Sequence, residues 1–240
     1  MKLRTVLQCA TVLAITLLAL LGCVASEQPP VVIATTPIPS LIPATLPPQP
    51  IATLMPAAVQ VTFPSRRPST KAAASQYQER CITCHGPEGQ GVVPGARNFS
   101  DVDYLRGQSP LRLYEIISDG RGSMPGWADV LSVNERWDLA FYVWNFAASL
   151  LVLQRGEAIY QRNCATCHNA DGTGSVPGTP DFTQVEWMAG YAPRDFFKVL
   201  TEGQGSMPSW QGKLSPEERW ASIEFIRSLA YEETAVTASR

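Results

Sequence analysis

Apolar and polar positions divide the chain into three regimes. Residues 1–22, MKLRTVLQCATVLAITLLALLG, carry Lys2 and Arg4 and then an almost unbroken apolar run. From Val24 to Thr70 neither a 3.6-residue nor a two-residue period is visible, and Pro, Thr, Ala and Val dominate. Helical periodicity begins after that. SQYQER (75–80) leads into Cys81 and RGEAIYQRN (155–163) into Cys164. SPLRLYEIIS (109–118) and APRDFFKVLT (192–201) read as one further helix each, and LSVNERWDLAFYVWNF (131–146) and LSPEERWASIEFIRSL (214–229) as longer closing helices. Ser132 with Glu135 and Ser215 with Glu218 have capping-box spacing, and Pro216 takes the first helical position, where a missing N–H does no harm. Trp137 and Trp220 lie about one and a half turns before Tyr142 and Phe225, in a pattern suited to a buried face, which makes these aromatics core candidates. Strand signals are scarce, so the predicted class is all-α.

These elements occur twice. Cys81, Cys84, His85, Met124, Pro125, Trp127 and Trp137 recur as Cys164, Cys167, His168, Met207, Pro208, Trp210 and Trp220, always 83 residues later. Aligned without a gap, 73–147 and 156–230 share 27 identities in 75 positions. A period of that length exceeds a solenoid unit and predicts two small domains, 71–148 and 149–232, each with its own core.

The first two regimes lie outside that pair. A basic start followed by an apolar run over 1–22 has the layout of an export signal. LLGC, ending at Cys23, resembles a bacterial lipobox, with Leu21 where a small residue is usual. Lipidation of Cys23, an uncleaved membrane helix and simple cleavage all remain open; the first two tether the protein to the cell membrane on its periplasmic, extracytoplasmic side. Eleven prolines between Val24 and Thr70 favour extended polyproline geometry, so 23–70 reads as the anchor cysteine plus a spacer outside the fold. The formal net charge of −2 offers no footprint for nucleic acid.

The cysteines carry the chemistry. Zinc bound by Cys81, Cys84, Cys164 and Cys167 is disfavoured by the 79 residues between the pairs. A thioredoxin-like dithiol wants a βαβ context, and plain disulfides leave both histidines unexplained. CxxCH, in CITCH and again in CATCH, is the attachment signature of haem c: two thiols bond to the porphyrin and the histidine ligates iron. The chain has only two histidines, His85 and His168, so the second iron ligand must be sought among five methionines. Met1 falls in the signal and Met55 in the spacer. Met124 and Met207 both stand in GSMP, 39 residues after their histidine, whereas Met188 matches Leu105 and reads as core. Two haems c, each with a histidine and a methionine on iron, are the expected cofactors.

Each repeat resembles a class I cytochrome c domain, and the pair resembles the tandem dihaem cytochromes c, including cytochrome c4 and the cbb3-oxidase subunit III type. GEAIYQRNCATCH (156–168) is similar to the family's first helix, and the MPxW loop at Met124 and Met207 to its sulfur-ligand loop. Ala73 stands where Gly156 does. The resemblance implies that Pro94 and Pro177 offer carbonyls to the ligand histidines. It also implies electron transfer rather than catalysis, between redox proteins such as a membrane quinol-oxidising complex, a terminal oxidase, a reaction centre, or a soluble cytochrome or copper protein. A fixed cytochrome subunit of a membrane oxidase or dehydrogenase is the alternative, and a dihaem peroxidase, which needs an open iron, a more distant one.

Overall fold

A computed structural model describes residues 61–146 and 148–232. The signal segment, Cys23, Met55 and the spacer up to residue 60 lie outside the described residues. The described part is helical, with three isolated bridges and no named strand. Copy one contains α1 (Thr70–Arg80), α2 (Ile82–His85), α3 (Val102–Arg106), α4 (Pro110–Asp119) and α5 (Val133–Trp144). Copy two repeats them as α6 (Leu150–Asn163), α7 (Ala165–His168), α8 (Val185–Met188), α9 (Pro193–Glu202) and α10 (Pro216–Ser228).

Local sequence sets most helix starts. Ser69, Ser109 and Ser149 accept a backbone N–H at the openings of α1, α4 and α6. Both capping boxes form, with Ser132 N–H donating to Glu135 at 2.8 Å and Ser215 N–H to Glu218 at 2.9 Å. The first and last helices of each copy pack together, α1 on α5 and α6 on α10. That crossing is tight in copy two: a Cβ on Gly156 would sit 2.0 Å from the carbonyl oxygen of Ala221. Trp137 and Tyr142 are buried as the pattern predicts, and Trp220 and Phe225 pack on the core. Met188 and its match Leu105 are core residues too.

One expectation is corrected. Residues 61–69 do not stand outside the fold but lie along copy one. Phe63 stacks on Trp137 with centroids 5.4 Å apart, and the Trp137 indole donates to the Thr62 carbonyl at 2.9 Å. Arg66 forks onto Asp138 at 2.9 and 2.6 Å, and Asp138, 1% exposed, also accepts the Ser69 N–H at 2.7 Å. Periodicity could not show this. The segment is held by single side chains and leftover backbone donors, not by a repeating face.

The copies meet through matched surfaces. The Leu111 N–H donates to the Ala189 carbonyl at 2.9 Å, and Arg194 Nε approaches the Arg106 carbonyl at 3.4 Å. Since 106 matches 189 and 111 matches 194 in the 83-residue register, each side uses the same patch, as in an isologous interface. Trp144 and Arg227, themselves a matched pair, touch each other: the Arg227 guanidinium lies 4.2 Å from the Trp144 ring centroid and donates to the Trp144 carbonyl. Arg67 extends the contact by donating to the Leu229 and Tyr231 carbonyls of copy two.

Candidate functional site

The CxxCH turns are set by the helices before them. The Cys81 N–H closes α1 onto the Tyr77 carbonyl at 2.9 Å, and the His85 N–H returns to Cys81 at 2.8 Å, so one helical turn carries both cysteines and the histidine. Gly86, at φ +76, ends that turn. Copy two has Asn169 there at φ +60, the residue type that best tolerates a left-handed backbone after glycine. The tyrosine of the preceding helix pins the same spot in both copies: Tyr77 donates to the Gly86 carbonyl at 2.8 Å and Tyr160 to that of Asn169 at 2.9 Å.

The histidine rings lie flat against phenylalanines, His85 on Phe99 at 4.6 Å and His168 on Phe182 at 4.9 Å between centroids. Burial lowers the pKa of both imidazoles, keeping them neutral at pH 7 with a lone pair to offer. Burial also pushes the Cys81 and Cys164 thiols up to about 11. All four CxxC thiols are free of disulfides. The two pairs are not assembled into a zinc cage: among the described residues no group of three or more His, Cys, Asp or Glu is placed to hold a metal ion.

The methionine loops are equally constrained. Arg121 and Met124 exchange two backbone hydrogen bonds of 3.0 and 3.1 Å, and Gln204 and Met207 two of 3.0 and 2.9 Å, so each methionine is the last residue of a tight four-residue turn. Gly120 precedes the first turn at φ +78, and a Cβ on it would meet the Met124 carbonyl at 2.5 Å. The Trp127 N–H ties that loop to the Ile117 carbonyl at 2.9 Å, and the Trp210 N–H ties its match to Leu200 at 2.9 Å.

In copy one these pieces line one open cavity, with Cys81, His85 and Met124 on its wall among Leu113, Ile117 and Val143. A covalent, largely apolar, iron-bearing ring suits a wall that offers one thiol, one imidazole and one thioether on a mainly apolar surface, with Arg97 and Tyr104 also on it. The buried Nδ1 of His168 has no hydrogen-bond partner among the described residues, and Cys164 and Met207 pack on the core at the matching positions.

Two points depart from the sequence reading. Near His85 Nδ1 stands the Arg97 carbonyl, at 3.4 Å, and not that of Pro94. Pro94 lies on an exposed turn closed by Gly95 at φ +88, which carries its carbonyl elsewhere. The stacking phenylalanines Phe99 and Phe182 escaped notice, although their recurrence at the 83-residue offset was available as a signal.

A helical domain of this size, with a CxxCH turn and a methionine loop on one apolar cavity, is a class I cytochrome c domain, and this chain has two in tandem. The chain belongs to the family described as cytochrome c oxidase, cbb3-type, subunit III, which matches residues 68–143 and again 152–226. Its cofactors are accordingly two covalently bound haems c. The cbb3-type cytochrome c oxidase subunit FixP of Sinorhizobium medicae is 28% identical over 176 residues, 67% of this chain and 61% of that protein. Subunit CcoP of Rubrivivax gelatinosus is 29% identical over 171 residues, 68% of this chain and 55% of that protein. The chain therefore spans about three-fifths of the length of the curated relatives it matches. Reduced recombinant cytochrome c4 from Pseudomonas stutzeri matches with 21% identity, 67% of this chain and 98% of that one, at a TM-score of 0.25.

Proposed function

We propose that this chain is the electron-relay subunit of a terminal oxidase, tethered at the outer face of the cell membrane. In this reading Cys81 and Cys84 hold one haem and Cys164 and Cys167 the other, with iron between His85 and Met124 in residues 71–148 and between His168 and Met207 in residues 149–232. The convergence of Cys81, His85 and Met124 on one apolar cavity supports it most directly. Held by an imidazole and a thioether, a haem would supply reversible one-electron chemistry with no open position for a substrate. The chain's own contribution is to hold that pair still and dry. Phe99 fixes the imidazole plane, the hydrogen-bonded turn at Arg121–Met124 fixes the sulfur, and the apolar wall excludes water, which raises the potential of such a centre.

Attachment and partner follow from the relatives and the leader. The relatives are named as subunits of cbb3-type oxidases, which favours a fixed oxidase subunit over a free carrier. Among the described residues no helix is long and apolar enough to cross a membrane; the basic and apolar leader with LLGC supports a tether in residues 1–60, with Cys23 as the lipid-bearing residue. Two measurements test the proposal. Met124→Leu and Met207→Leu should each remove one of two methionine-to-ferric-iron absorption contributions, while Met188→Leu removes neither; loss of a contribution in Met188→Leu refutes the ligand assignment. Purification in mild detergent should bring an oxidase down with the chain, and recovery of the chain alone, fully reducible, would point to a mobile carrier.

A further inference from the structure

The tryptophan of each closing helix is covered twice. Trp137 stacks on Tyr114 and Trp220 on Phe197, with centroids 4.3 Å apart in both copies. The second cover differs. On Trp220 it is Arg106 of copy one, whose guanidinium lies 3.9 Å from the ring centroid. The residue matching Arg106 is Ala189, whose methyl group cannot reach out in the same way, and on Trp137 the second cover is Phe63 of the arm. The arm thus stands in copy one where the neighbouring domain stands in copy two.

The arm does not stop at copy one. Asp138 holds it at two points, accepting from the Arg66 guanidinium and from the Ser69 N–H, and so fixes the residues between them. Those residues bond to copy two: Arg67 donates to the Leu229 and Tyr231 carbonyls, and the Pro68 carbonyl accepts the Glu232 N–H at 2.8 Å. The hydroxyl of Thr70, a residue 1% exposed, donates to the Glu232 carbonyl at 3.1 Å. Copy two has no counterpart, since Arg66, Arg67 and Asp138 are matched by Ser149, Leu150 and Ala221. Because the arm is already ordered on copy one, closing these bonds orders little further chain.

We infer that residues 61–69 are a strap that sets the position of one haem domain against the other, with Phe63 and Arg67 as its positioning residues. Two domains joined in one chain move relative to each other by default, unless the contact between them is large and apolar. The strap supplies a second fastening beside the direct contact of the domains. It thereby fixes the separation across which one electron passes between the haems, one iron becoming ferric as the other becomes ferrous, with no bond or proton exchanged. The inference needs only two haem domains in one chain and holds with or without an oxidase as partner.

Hydrogen exchange of the full mature holoprotein, with haem content fixed by mass, tests this. Phe63→Ala with Arg67→Gln should speed exchange of the Glu232 amide about tenfold, as for a contact weakened by one or two hydrogen bonds, and leave the amides of α10 unchanged. Phe63→Tyr, which keeps the ring, should behave as the unmodified protein. After fast injection of one electron, equilibration between the haems should follow a single rate in the unmodified protein and several in the double variant. Arg67 is exposed, so Arg67→Gln alone disturbs no core packing, and it must by itself speed exchange at Glu232 if the double variant loses a haem. Faster exchange confined to α1 and α5, an electron equilibration the double variant leaves unchanged, or several rates in the unmodified protein overturns the proposal. Exchange at Glu232 reads the domain contact whether or not Met124 and Met207 bind iron, so its failure is distinct from failure of the ligand assignment.

Discussion

At the scale of single residues, the difference between copies is sharpest where the first helix crosses the last. Gly156 admits the Ala221 carbonyl so closely that any Cβ collides with it, and Phe225 Cβ is 3.0 Å from the same point. Gly156→Ala should therefore destabilise the chain at or above the upper end of the roughly 1–3 kcal/mol usual for overpacking. Copy one already carries a fully buried alanine, Ala73, at the matching position. Ala73→Gly should lose only the smaller amount, about 0.5–1 kcal/mol, that glycine loses within a helix. Urea unfolding of the two holoproteins compares them, and equal losses would mean that the crossings are alike. The sequence showed the Ala73 and Gly156 difference, but its weight depends on a backbone oxygen of another helix, which no local pattern reports. The histidine partner was illegible for the same reason: Arg97 offers a carbonyl, and a carbonyl has no letter of its own.

At the scale of elements, legibility followed length. The six longer helices and both capping boxes could be read from their starts and periods, whereas α3 and α8, of five and four residues, are too short to display a period. The capping box of α5 offers a test in two parts. Ser132→Ala should cost about 1 kcal/mol, the usual loss of an N-cap. The Glu135 carboxyl is held below its ordinary value of 4.5, first by the Ser132 backbone N–H and then by its hydroxyl. Its contribution is therefore complete above that value and disappears as pH falls through the lower, folded-state one. Stability measured from pH 6 downward should lose this increment in the unmodified protein and not in Glu135→Gln; parallel profiles would show that the box does not depend on charge. The arm at 61–69 is the element that sequence misjudged, because proline content reports what a segment cannot form and is silent about what it can lie against.

At the scale of the whole molecule, the most deeply buried polar contact between the two domains is that of Arg227 with Trp144. Arg227 is 4% exposed, bonded to Glu224 at 2.5 Å and laid over Trp144. Removing one partner of a buried ion pair strands the other, which typically costs about 3–5 kcal/mol. Glu224 lies on the same helix as Arg227, so that cost falls on copy two, while loss of the Trp144 contact in Arg227→Ala should loosen the domains from each other and turn one urea transition into two when each haem's absorbance is followed. A single transition displaced as a whole would show that the contact matters to copy two alone. The repeat itself was fully visible in the sequence. That residue 144 faces residue 227 was not, since an alignment sets matched positions side by side and cannot show that they touch.

The isologous character of that contact bears on direction. Two identical subunits meeting about a twofold axis are interchangeable, so an electron shared between them has no preferred side, and every substitution appears in both at once. Joining the halves in a single chain removes that constraint. Tryptophan can face arginine across the axis, and alanine can stand where its match is glycine. Duplication within one chain lets a symmetric scaffold acquire two unlike halves.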